Sequence, residues 1–166
     1  HSVVVVSMVT AYLTRMSARA RDGDIAGIRE DTRTASILTV LFMALAATGL
    51  IALSVPIARI FSAPAVDQIA IVIAAFAVGL VPFSAYFVIQ RVLYALDDTP
   101  LAFWLQAAHT GFFVAGALAC LALPTAWIVP GIGLVTSAAG AFQLVLGASA
   151  LSRRIGAFGM RTVWLR

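Results

Sequence analysis

The chain holds 166 residues, 62% of them apolar and 11% charged, with a mean hydropathy of +1.03. Soluble domains carry about a quarter charged residues, so a soluble globular domain is excluded. The formal charge of +4 comes from eleven arginines without a single lysine; a GC-rich coding bias accounts for that choice, and loops beside apolar spans account for the charge better than a nucleic-acid surface does.

A helix rising about 1.5 Å per residue crosses the roughly 30 Å hydrocarbon core in about 20 residues. Five apolar segments meet or approach that length, at about 2 to 16, 35 to 55, 68 to 90, 101 to 123 and 128 to 151. None alternates in polarity as a barrel strand does, so the expected fold class is all-α: a polytopic transmembrane helix bundle of about five spans forming a single domain over 1 to 166. The first segment is short, carries Ser7, Thr10 and Thr14 before Arg15, and reads as the inner end of a longer helix. With no initiator methionine before His1 and no basic stretch ahead of Val3 to Val6, a signal peptide is not expected and the chain reads as a piece of a longer protein.

The loop at 17 to 34 is the most polar stretch; Gly23 breaks it, Asp24 is suited as an N-cap, and a short interfacial helix is expected there, separate from the second span. Pro56 and Pro64 flank Ile57 to Phe61, which predicts an irregular or short helical segment after the second span. Pro82 lies inside the third span, where it removes a backbone donor and predicts a kink. Asp97, Asp98, Thr99 and Pro100 then predict a tight turn in the loop at 91 to 100, with Asp98 or Thr99 capping the fourth helix and Pro100 at its first position. Cys120, the only cysteine, excludes an intrachain disulfide and reads as a small buried hydrophobe. Pro124 to Trp127 joins the last two spans as a hairpin, with Trp127 at the headgroup level. Gly131 and Gly133 lack the strand and the third glycine that a nucleotide-binding turn needs.

With five spans, ten of the eleven arginines fall on one side of the membrane, Arg15 at the inner end of the first segment and nine in the loops at 17 to 34, 91 to 100 and 152 to 166, and Arg59 alone falls on the other. The positive-inside rule makes the first side cytoplasmic, with the C-terminal Arg166 inside and Phe158 to Arg166 approaching a further span.

No nucleophile, base or metal cluster is visible, so catalytic residues, metal and cofactor are all expected to be absent. His109, within the fourth span, reads either as a neutral imidazole bonded to a neighbouring helix or as a proton relay, which would want an acidic partner at the same depth. Arg91 reads either as pairing with Asp97 and Asp98 to hold the turn, or as meeting an anionic phosphate or gating the inner mouth. Thr10, Thr14 and Arg15 share one helical stripe. They line a wet cavity, or the hydroxyls bond back to their own helix while the arginine snorkels.

Three stretches carry a family likeness. His1 to Thr10, followed by Arg15-Met-Ser and the Gly23-Asp24 loop, is similar to a helix ending in a loop of the form aDGD(I/L)aavR. Arg91-Val-Leu-Tyr-Ala-Leu-Asp-Asp-Thr-Pro100 resembles the turn R-x-x-Y-A-x-x-D-T-x-x-P, with the spacing before proline shortened. Gly131 to Arg154 resembles a Gly- and Ala-rich span ending in paired basic residues. Together they resemble the MurJ (MviN) lipid II flippases of the multidrug, oligosaccharidyl-lipid and polysaccharide exporter (MOP) superfamily, in particular the actinobacterial type.

The resemblance implies part of a 14-helix, two-lobed transporter of the bacterial cytoplasmic membrane, roughly its eighth to twelfth helices. That transporter moves an undecaprenyl-pyrophosphate-linked peptidoglycan precursor by alternating access. The implied partners are that precursor, membrane lipid and an N-terminal lobe of the same protein, without nucleic acid. Thr10, Thr14 and Arg15 become candidates for the substrate cavity, and Arg91, Asp97 and Asp98 for an inner gate. Two rivals remain: a polysaccharide or drug exporter of the same superfamily, and a non-transporting membrane scaffold for cell-wall partners.

Overall fold

The computed structural model describes residues 14–61 and 65–156. Thr10, Pro64, Phe158 to Arg166 and nearly all of the expected first span lie outside them. The described residues form helices joined by short turns: α1 (14–21), α2 (Ile25–Ala52), α3 (Ser54–Phe61), α4 (Val66–Ala95), α5 (Thr99–Cys120) and α6 (Thr125–Ile155). Four of them, α2, α4, α5 and α6, are long and apolar enough to cross a membrane. At about 1.5 Å per residue, the 22 residues of α5 just exceed the hydrocarbon core, whereas the 31 of α6 protrude from it or tilt.

Local chemistry accounts for the breaks. Gly23 takes a φ of 71° between α1 and α2, a left-handed turn that glycine enters without strain. The Asp24 carboxylate then accepts from the Gly27 backbone N–H at 2.9 Å and starts α2. That cap lies well before the apolar run begins, so no separate interfacial helix follows Gly23 in the expected loop at 17 to 34: the helix started by Asp24 runs straight into the second span, and α2 carries the polar residues from Glu30 to Arg33 in its first turns. The chain breaks at Leu53, where the Ser54 hydroxyl donates to the Ile51 carbonyl at 2.8 Å, and α3 takes Pro56 in its opening turn, where a missing N–H loses nothing. α4 stays helical through Pro82, and α6 likewise through Pro130.

In the packing, α4 is the central element: α2 and α6 flank it, α3 packs against it, and α5 lies against α6. Small residues set the α4–α6 spacing. A Cβ on Gly79 would stand 2.6 Å from the Ser137 hydroxyl and 2.9 Å from its Cα, and one on Gly133 would stand 3.0 Å from the Ala75 methyl. Ser137 donates to the Ala75 carbonyl at 2.6 Å, an interhelical bond that hydrocarbon does not weaken by competition. Gly131 and Gly133 therefore serve helix contact, inside α6, and not a nucleotide turn.

The largest buried side chains, among them Met16, Ile28, Ile89, Leu93, Leu151 and Ile155, gather where α1, the start of α2, the α4–α5 turn and the end of α6 meet. Elsewhere Leu41, Leu45, Phe103, Trp104 and Val145 stand exposed on the spans, as lipid-facing side chains do, and α5 is the least buried of the four spans.

Candidate functional site

The end of the bundle that holds this core also collects the charges. Arg15 and Arg19 lie one turn apart on α1 and both reach Asp31 on α2, with Nη2 to Oδ1 at 3.5 Å and Nη1 to Oδ2 at 3.0 Å. The Asp31 side chain is only 7% exposed, against 60% for Arg15 and 30% for Arg19. Arg19 Nη1 also donates one of its two hydrogens to the Gly27 carbonyl at 2.6 Å. Asp31 Oδ2 has a charge contact with Arg19 but no aligned hydrogen bond among the described residues. Arg19 Nε adds a looser contact with Asp24 at 3.8 Å. Arg15 and Thr14 are exposed, so the part of the expected stripe that is described faces away from the core.

At the α4–α5 turn the structure corrects one expectation. Arg91 makes no ion pair within 4.0 Å among the described residues; its guanidinium lies over the Phe87 ring, 4.7 Å from the centroid, a cation–π contact at i, i−4 spacing. The carboxylates are out of its reach because the chain leaves the helix at Leu96 and Asp97 turns with a φ of 58°. Asp98 then faces α6, where Arg154 Nη2 meets its Oδ2 at 2.9 Å. With that oxygen engaged, Asp98 stands at the N-cap of α5 without a side-chain cap bond. Pro100 takes the opening turn of the helix, the place that suits a residue without an N–H. Two clefts flank the turn: one of about 440 Å³ holds the Arg154–Asp98 pair, and one of about 490 Å³ lies between Arg21 and Tyr94; Asp97 lines both.

Deep within the spans, His109 Nδ1 lies 3.2 Å from the Ala139 carbonyl on α6. A carbonyl only accepts, so Nδ1 carries the proton in this contact. The imidazole is thus bonded to a neighbouring helix, and it borders an apolar cleft of about 510 Å³ walled chiefly by α4, including Phe76, Gly79 and Phe83. Gln143, 1% exposed, donates to Gln106 Oε1 across the α5–α6 contact at 3.0 Å. Both glutamines sit in spans and meet the same depth criterion that singles out His109. Sequence reasoning passed over them, as it did over Arg19, Arg29, Asp31 and Arg154 as site residues. The i, i+4 spacing of Arg15 and Arg19 was readable; the partners of the other arginines lie on distant elements. No group of three or more metal-ligating side chains exists among the described residues.

A family model described as lipid II flippase MurJ matches residues 1–165 of the chain. Neither the curated proteins nor the solved structures give a significant match.

Proposed function

Because the chain belongs to the lipid II flippase MurJ family, a family of transporters rather than enzymes, we propose that it forms part of a flippase for a polyprenyl-pyrophosphate-linked peptidoglycan precursor. The observation that carries the reading is the family match over nearly the whole chain. In this reading the arginine-rich end faces the cytoplasm of a bacterial inner membrane, and the helices are one part of a two-lobed bundle whose lobes rock to expose a central cavity to each side in turn.

The residues divide by what their charges already hold. Arg15 spends part of its charge on Asp31 yet remains largely exposed. It is the candidate for meeting the pyrophosphate in the cavity, with Thr14 beside it and with Thr10, which lies outside the described residues, as the third candidate. Arg91 is held on an aromatic face and not on a carboxylate, so its donors remain available to an anion at the inner mouth, with Asp97 and Asp98 forming the turn of the gate.

The test uses the full-length protein in its host, with Arg15→Ala and Arg91→Ala introduced singly. Depletion of the protein should leave the lipid-linked precursor on the cytoplasmic face, and each variant should restore its movement at least several-fold less well than the unaltered protein. Unchanged precursor distribution on depletion, in a host without a second flippase, would refute the cargo; full rescue by both variants would refute the assigned residues.

A further inference from the structure

Arg29, in the first turns of α2, directs two donors at one acceptor on α6: Nε and Nη2 lie 2.8 Å and 2.6 Å from the Ile155 carbonyl oxygen. Ile155 is the last residue of α6, so its carbonyl has no partner within the helix, and a cation there also meets the negative end of the helix dipole. Arg29 makes no ion pair within 4.0 Å among the described residues; its guanidinium serves this carbonyl. Gly156 follows with a φ of 81°, and a Cβ on it would stand 2.5 Å from Arg29 Nη2. Glycine is therefore needed twice, for the left-handed backbone and for the approach of the guanidinium. One residue before Ile155, Arg154 reaches Asp98 on the α4–α5 turn at 2.9 Å, within the cleft of about 440 Å³ that Ile25, Leu96 and Pro100 help to wall.

We propose that Arg29 is a positioning residue: by clasping the carboxyl end of α6 it holds Arg154 on Asp98, and release of the clasp undocks that end and opens the cleft. The place of this step in a transport cycle rests on the flippase reading, whereas the clasp itself does not.

The experiment uses the full chain in lipid nanodiscs, with Cys120→Ser removing the natural thiol and Ile155→Cys as probe, since the Ile155 side chain is only 2% exposed and becomes reactive when the end of α6 undocks. The rate of labelling by a membrane-impermeant maleimide is read. Loss of a doubly made, charge-assisted hydrogen bond should raise it about ten-fold or more in Arg29→Gln, with Arg29→Lys in between. Gly156→Ala, which keeps the charge and blocks the approach, should act in the same direction and replaces Arg29→Gln if that variant does not fold. Arg154→Gln should raise the rate as well, and the double variant should fall short of the product of the two singles. The exchange Asp98→Arg with Arg154→Asp should restore slow labelling while Arg29 is present and fail to do so in Arg29→Gln. Labelling within about two-fold of the unaltered protein in both Arg29→Gln and Gly156→Ala, or a double variant equal to the product, overturns the proposal. A clasp that behaves as described in a protein that moves no precursor keeps this inference and refutes the flippase reading.

Discussion

Replacing Asp31 by Asn tests whether the charges at the arginine-rich end stabilise the fold. Removing one partner of a fully buried ion pair costs about 3–5 kcal/mol, and an exposed pair contributes under about 1 kcal/mol. Asp31 lies between these limits: its side chain is 7% exposed, but Arg15 and Arg19 are 60% and 30% exposed, so water screens both cations. The expected loss is about 2 kcal/mol in Asp31→Asn, measured by equilibrium unfolding in mixed detergent micelles. The larger share of the coupling should be with Arg19, which is nearer than Arg15, at 3.0 Å against 3.5 Å, and less exposed. A double-variant cycle of Arg19→Gln with Asp31→Asn should give a coupling of about 1 kcal/mol, and one with Arg15→Gln about half that. Glu30→Gln serves as the control, because its contact with Arg33 is 3.8 Å long and 67% exposed on the glutamate side; it should cost about 0.5 kcal/mol or less. An Asp31→Asn loss no larger than that of the control would refute the argument.

The helix contacts give three further single variants and one double variant. Gly79→Ala should destabilise the chain by about 1–3 kcal/mol, because the added Cβ meets the Ser137 backbone at 2.9 Å. Gly111→Ala, with nothing within 4 Å of its Cβ, should be neutral or stabilising by up to about 1 kcal/mol; the same unfolding measurement checks both. Gln143→Leu breaks the bond to Gln106 and should cost about 0.5–1.5 kcal/mol, and Gln106→Leu should then add little in the double variant, measured by the same method.

Much of the architecture is written in local chemistry. Apolar runs of bilayer length require helices, since hydrocarbon satisfies no backbone group outside the chain. Asp24, Gly23 and Pro100 mark helix starts and turns through interactions within a few residues of themselves. The clustering of arginines at one end of the bundle was equally legible, as was the bond from His109 to a neighbouring helix as one of two readings. Pairing was not. Arg91 stands nearest to Asp97 and Asp98 in sequence, yet Asp98 meets Arg154, far along the chain, because the left-handed turn at Asp97 aims it at α6. Likewise the clasp of Arg29 on Ile155 spans 126 positions.

What the sequence by itself determined, then, is which of the described segments form helices long and apolar enough to cross a membrane and at which end of the described bundle the arginines gather, because hydrophobic length and charge placement act residue by residue. Only the tertiary structure decided which guanidinium holds which oxygen. That depends on the rotation and spacing of whole helices, set by close contacts such as Gly79 against Ser137, and a shift of one residue in such a contact turns each side chain by about 100° toward a different neighbour.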